Sequence, residues 1–253
     1  MTGLRERLRN GDFVLGTFAE LPSPALVEIL GHAGFDFVII DREHGSINLE
    51  TAEHMIRAAQ ASGISPIVRV AENHPVLVRQ PLDMGAAGVQ VPQIESPEGA
   101  QQVVRSAMFA PEGERGLQPF VRAAAYGATP TADLLRQANE NSVLAIHIEG
   151  EEGARNLEQI LQVDRIDVIF IGPYDLSQSL GIPGQTSHPK VEERIREIAA
   201  LSRAAEKCVG IYCDSPASVA KWREIGINYA ALSMDAKIFG VAAGDLVRQI
   251  ENR

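Results

Sequence analysis

The 253-residue chain carries 23 Lys and Arg against 33 Asp and Glu, a formal net charge of −10, and 45% of its residues are hydrophobic. That length suits one large domain or two small ones, and the composition is that of a folded globular protein, not a disordered or fibrous one. An acidic chain without a Lys/Arg cluster is repelled by nucleic-acid phosphates and anionic membrane surfaces, so neither is an expected partner; a small anionic substrate is still compatible with a local pocket that opposes the global charge. The start, MTGLRERLRNGDF, is polar and mixed in charge. It has no apolar stretch of signal-peptide length, and no later run nears the roughly 18 apolar residues of a membrane span, so the protein reads as cytoplasmic. Cys208 and Cys213 have neither a disulfide-framework nor a zinc spacing and read as buried free thiols.

Short Val- and Ile-rich runs, bounded by Gly, Pro, Asp or Asn, alternate with segments of helical periodicity. In chain order the predicted strands and helices are Phe13–Phe18, helix Ser23–Ala33, Phe35–Asp41, helix Leu49–Ala61, Pro66–Val70, helix Pro75–Met84, Gly88–Pro92 and helix Pro97–Met108. The second half continues Val143–Glu149, helix Gly153–Leu161, Asp167–Gly172, helix Val191–Lys207, Val209–Asp214, helix Pro216–Ile225, Tyr229–Met234 and helix Ala236–Ile250. Apolar strands alternating with helices assemble as βαβ units, and eight such units in this length predict a single-domain (β/α)8 TIM barrel over residues 1–253. The competing doubly wound sheet lacks a GxGxxG or P-loop after its first strand. The longest irregular piece, Phe109 to about Thr131, exceeds a plain connection and reads as a functional loop.

Chemistry in such a barrel sits at the carboxyl ends of the strands. There the sequence places Asp41, Glu43 and His44 in IIDREHG, Arg69 in IVRV, His147 and Glu149 in AIHIE, and Asp175 in IGPYDLSQSLG. Period-two alternation puts His147 and Glu149 on one face. Singly, each residue also has a structural reading: Arg69 as an ion-pair partner of Glu149 or Asp175, Asp175 as a helix cap. Together, two carboxylates on adjacent strands with an Arg and a His make a site. Glu149 and Asp175 are hard oxygen ligands for Mg²⁺ or Mn²⁺, with Co²⁺ a further candidate, and two protein ligands leave room for a bidentate 2-oxo acid. Arg69 would add positive charge where an enolate oxygen develops, and His44 is a candidate base. The four lysines, Lys190, Lys207, Lys221 and Lys237, fall in helices or their approaches, which argues against a Schiff-base nucleophile.

These residues resemble the class II, metal-dependent 2-oxo acid aldolases of the 4-hydroxy-2-oxoheptanedioate aldolase type, in the aldolase/citrate lyase superfamily. The resemblance spans nearly the whole chain and rests on FDFVIIDREHG, PIVRV, QPLDMGAAGVQVPQIES, PEGERG, IHIEG and IGPYDLSQSLG. It implies a (β/α)8 barrel, commonly hexameric, that reversibly cleaves a 4-hydroxy-2-oxo acid into pyruvate or a hydroxypyruvate-like 2-oxo acid and an aldehyde through a metal-bound enolate. Carried over by residue, it implies Glu149 and Asp175 as metal ligands, Arg69 on the keto or enolate oxygen, and His44 as acid/base through a water with Asp83 supporting it. Asp41 and Glu43 become acceptors for metal-bound waters, and backbone N–H groups across Gly172, Pro173, Tyr174 and Asp175 hold the substrate carboxylate.

The chain departs from the family at two places. His147 stands where many relatives carry Gln, and reads either as a substrate or metal contact or as a core histidine. GLQPFVRAAAYG brings Gln118, Phe120 and Tyr126 after PEGERG, leaving substrate preference open. Arg115 reads as facing the pocket or a neighbouring subunit, or as a surface ion pair. His32, His54, His74 and His188 read as structural, Trp222 as packing, and the last helix as a subunit-packing surface. Two rivals remain: a citrate-lyase-like acyl-CoA lyase or hydrolase, for which no basic strip is evident, and a non-catalytic barrel, which the charged rim disfavours.

Overall fold

The computed structural model describes residues 3–251. The elements are α1 (Leu4–Arg9), β1 (Val14–Ala19), α2 (Pro24–His32), β2 (Phe37–Asp41), α3 (Leu49–Ala61), β3 (Ser65–Arg69), α4 (Pro75–Asp83), β4 (Gly88–Val91) and α5 (Pro97–Ala107). After a 3-10 turn at Arg122–Gly127 come α6 (Thr131–Asn141), β5 (Val143–Ile148), α7 (Glu151–Arg155), α8 (Leu157–Ile160), β6 (Val168–Ile171), α9 (Pro173–Ser179), α10 (Pro189–Ala204), β7 (Cys208–Cys213), α11 (Pro216–Arg223), β8 (Tyr229–Met234) and α12 (Asp235–Glu251). The eight strands are parallel and close in sequence order, β1 pairing with both β2 and β8. This is the predicted (β/α)8 barrel, with the strand ends within about two residues of those read from composition.

Period-two alternation builds two apolar layers. Val14, Phe18, Phe37, Ile39, Ile67, Val143, Ala145, Val168, Phe170, Tyr229 and Ala231 form the barrel interior. Their neighbours Val38, Ile40 and Val68 face the other way, against Val27, Met55 and Ile56 of α2 and α3. Helix starts follow from local chemistry: Ser23, Asn48, Ser96 and Ser215 each accept a backbone N–H in the first turn, and a proline follows at α2, α5 and α11. His74 and His188 do the same for α4 and α10, which gives both histidines the structural role expected. Cys208 and Cys213 are free thiols of β7.

Four elements escaped the sequence reading, and one helix was drawn unbroken. α1 tucks Leu4 and Leu8 into the amino-terminal end of the barrel interior, and its Arg5 reaches Asp167 at 2.8 Å and the carbonyls of Asn139 and Glu140. The helix predicted over Gly153–Leu161 breaks at Asn156 into α7 and α8. The remaining additions are the 3-10 turn, α6 and α9. The segment Phe109–Thr131 runs from α5 toward β5, so it lies at the amino-terminal end of its own barrel, opposite the strands' carboxyl ends. Its Arg122 donates to the Met84 carbonyl and to Gln60, groups that precede β4 and β3, and Ala125 and Tyr126 adopt left-handed φ of 49° and 55°. Connectivity thus places this loop, read from the sequence as functional, away from the rim of its own chain. Among the described residues no helix is long and apolar enough to cross a membrane.

Candidate active site

The rim is built outward from Asp41, the last residue of β2, which is fully buried. Arg69, the last residue of β3, lies beside it in register. The Arg69 Nε donates to Asp41 Oδ1 at 2.9 Å and its Nη2 to Oδ2 at 2.6 Å, while Nη1 lies 2.8 Å from Glu43 Oε2. The guanidinium also stands over the Phe18 ring, 4.9 Å from its centroid. Burial alone would raise the Asp41 carboxyl; the hydrogen bond and charge of Arg69 and the N–H groups of Glu43 and His44 overturn that and hold it below the usual carboxylate range. A bidentate fork of this kind orients a guanidinium rigidly. Arg69 thus pairs with Asp41 and Glu43, not with Glu149 or Asp175. The oxygens of Asp41, expected to face metal-bound water, are taken by that fork.

Glu149 follows β5 and is 7% exposed. Its Oε1 accepts the Gln93 backbone N–H at 2.9 Å, and Gln93 holds a left-handed φ of 54°, a strained conformation for a non-glycine residue that aims the N–H at the carboxylate. Its Oε2 meets His147 Nδ1 at 3.1 Å. Burial pushes the Glu149 carboxyl up, but His147, the Gln93 N–H and Arg69 together bring it below its ordinary value. His147 stacks on Phe170 at 4.6 Å, and its buried Nε2 has no partner among the described residues. Asp175, in the first turn of α9, is raised by burial and by the charge of Glu149.

Glu149 and Asp175 converge across Gly172. A methyl group on Gly172 would stand 2.6 Å from Glu149 Oε2 and 3.4 Å from Asp175 Oδ2, so only glycine leaves this space open. Two mutually repelling, hard oxygen donors around a glycine-sized opening fit a divalent cation. Among the described residues no three His, Cys, Asp or Glu side chains form a metal-holding group. Any ion here would therefore have two protein ligands and take its other positions from water or substrate.

These groups line a cavity of about 420 Å³ that brings His44, Arg69, His147, Glu149, Gly172, Pro173, Tyr174 and Asp175 together. Asp83 is not among them. It closes α4 at the amino-terminal end of the barrel, where Arg115 Nη2 donates to it at 2.7 Å, so within one chain it does not support His44. Arg115 itself is buried by this pair and lies over the Phe109 ring, which excludes both a place in its own pocket and a surface ion pair. The opposite wall holds residues the sequence reading missed: Phe18 and Glu20 from the end of β1, Tyr212 and Asp214 from the end of β7, and Met234 and Lys237 from β8 and α12. Each obeys the same strand-end rule that singled out Asp41 and Glu149. Lys237 was set aside as a helix residue, yet the first turn of α12 opens on the rim.

A model of the HpcH/HpaI aldolase/citrate lyase family matches residues 15–242. The chain belongs to this family. Among its relatives, a 5-keto-4-deoxy-D-glucarate aldolase of Citrobacter koseri is 34% identical over 232 residues, covering 92% of this chain and 90% of its own. The solved structure of an HpcH/HpaI aldolase/citrate lyase family protein from Burkholderia cenocepacia superposes with a TM-score of 0.93 at 32% identity over 98% of each chain. That of the citrate synthase SbnG gives 0.89 at 35% identity over 99% of this chain and 98% of its own. As a member of the HpcH/HpaI family with aldolase relatives over most of its length, the protein is a carbon-carbon lyase. The matched span begins in β1 and ends in α12.

Proposed function

We propose that the protein is a divalent-metal-dependent aldolase that reversibly cleaves a 4-hydroxy-2-oxo acid into pyruvate, or a hydroxypyruvate-like 2-oxo acid, and an aldehyde. The observation that carries this reading is the convergence of Glu149 and Asp175 across Gly172, in one cavity with Arg69 and His44. Glu149 and Asp175 would hold Mg²⁺ or Mn²⁺, which supplies Lewis-acid polarisation of the 2-oxo group when bound. Arg69, locked by Asp41, presents a fixed positive charge where the enolate oxygen develops, at no reorganisation cost in the reaction. The backbone N–H groups between Gly172 and Asp175, Pro173 excepted, bind the substrate carboxylate. His147, engaged by Glu149 through Nδ1, leaves Nε2 for the substrate or a water. His44 moves the proton of the 4-hydroxyl through a water as the C3–C4 bond breaks, and the enolate carbon is then protonated.

The acyl-CoA rival asks for unpaired cations for the CoA phosphates. Arg69 and Lys237 are the lysine and arginine side chains of the cavity, and both are ion-paired. Deuterium exchange of the pyruvate methyl group, followed by NMR, tests the aldolase reading without the aldehyde being known. Exchange is expected with Mg²⁺ or Mn²⁺ and is expected to fall to the buffer rate in EDTA. No exchange of pyruvate or hydroxypyruvate with any divalent metal would sink the proposal.

We also propose a homo-oligomer, a hexamer by resemblance, packed partly through α12. Phe239, Leu246 and Ile250 fall on one stripe of that helix and are 66%, 64% and 71% exposed. Phe239→Asp combined with Leu246→Asp is expected to lower the native mass, read by light scattering, toward that of the 27.3 kDa chain. An unchanged mass would assign the interface elsewhere.

A further inference from the structure

Strand order sets two walls against each other across the cavity. Arg69, His147, Glu149 and Asp175 come from the ends of β3, β5 and β6, whereas Glu20, Tyr212, Asp214 and Lys237 come from the contiguous β7, β8 and β1. On the aldolase reading, the first wall holds the 2-oxo acid half of the substrate. The remaining carbons then extend onto the second wall, which the reaction as described leaves without a role.

That wall has a built polar order. Asp235, 4% exposed, accepts the backbone N–H groups of Glu20 and Leu21 at 3.1 Å each, tying the loop that carries Glu20 to the helix that carries Lys237. Lys237 Nζ lies 2.8 Å from Asp214 Oδ1, and the Tyr174 hydroxyl donates to the same carboxylate at 3.1 Å. Its hydrogen bond to Asp214 raises the Lys237 ammonium. Tyr212 stacks edge-on against Tyr174 and Phe18, with ring centroids 6.0 and 5.9 Å apart. Burial, followed by the charge of Asp214, raises its hydroxyl.

The charge balance of this wall is two carboxylates against one ammonium, and that ammonium is already neutralised. A carboxylate on the incoming aldehyde would meet net negative charge and no free cation. Hydroxyl groups would instead find carboxylate and tyrosine oxygens as acceptors and tyrosine O–H groups as donors. We infer that the wall formed by Glu20, Tyr174, Tyr212, Asp214 and Lys237 binds the aldehyde half of the substrate and selects an uncharged hydroxyaldehyde over one bearing a carboxylate. The inference rests on the aldolase reading and assigns its acceptor class. In the addition direction, C3 of pyruvate loses a proton and bonds to the aldehyde carbon, whose oxygen gains a proton; no oxidant or reductant enters.

The test uses a matched pair with one skeleton: glyceraldehyde and tartronate semialdehyde, which differ in a terminal CH₂OH against a carboxylate. Each is given with pyruvate to the wild-type protein loaded with Mn²⁺, and pyruvate methyl exchange is recorded in parallel. The expected result is a kcat/KM at least tenfold higher for glyceraldehyde. Asp214→Asn, which frees the Lys237 charge, is expected to move that ratio at least tenfold toward tartronate semialdehyde. Intact exchange with an equal or reversed wild-type preference overturns the acceptor assignment and leaves the aldolase standing. Absence of exchange, with hydroxypyruvate in place of pyruvate and with the other divalent metals as well, overturns the aldolase reading and this inference with it. An unmoved ratio in Asp214→Asn overturns the role given to the Asp214–Lys237 pair.

Discussion

Glu149→Gln and Asp175→Asn are each expected to lower metal-dependent exchange of the pyruvate methyl group by about a thousandfold, the several kcal/mol of charge stabilisation that a Lewis acid contributes. The two carboxylates converge on the Gly172 opening. With either one made neutral, the site offers a single anionic ligand, too little to hold a hard cation against water. The same variants are expected to weaken Mn²⁺ binding, read from the free-ion electron paramagnetic resonance signal, in parallel with the loss of exchange. The fold should survive both changes. Asp175 is raised by burial and by repulsion from Glu149, so removing one charge relieves the other. A variant that exchanges pyruvate at the wild-type rate would remove that residue from the proposed ligand set.

Arg69→Met should act on stability and activity together. It removes a guanidinium that Asp41 grips with both oxygens, and it leaves Asp41, 0% exposed, without its counter-charge. Breaking one side of a buried pair costs about 3–5 kcal/mol, so the urea midpoint should fall by an amount of that order. Exchange should drop to the buffer rate as the positive charge facing the enolate oxygen disappears. The double change Arg69→Met with Asp41→Asn separates the two effects. It is expected to recover the part of the stability lost through Asp41, leaving Glu43 as the one carboxylate without its Arg69 partner, and none of the activity. Restored exchange in the double variant would show that Arg69 only holds the fold.

The strands were legible because each strand of a parallel barrel is covered on both faces, which leaves short apolar runs such as FVIID and VLAIHI flanked by turn residues. His44, Arg69, Glu149 and Asp175 were legible for a related reason: a charged or titratable side chain at the end of such a run stands out against its surroundings. α1 was not, since six residues with three arginines look like a solvated start until Leu4 and Leu8 are seen under the barrel. Asp83 shows the same limit. It sits in a motif of the resemblance, but α4 runs back down the barrel and delivers it to Arg115 at the far end.

Spacing and residue type along the chain carried the element order, the barrel and the individual strand-end residues, because periodicity and backbone propensity act over a few neighbours. Partnership was decided by closure of the barrel, which brings β8 beside β1 and turns strand ends distant in sequence into one rim. That closure gave Arg69 to Asp41 and Glu43 rather than to Glu149, opened the space at Gly172 between two carboxylates, and set Lys237 of the last helix against Asp214 in the same cavity. Charges separated by such stretches of chain have no local signature. Their pairing is set by which strand ends the barrel makes neighbours.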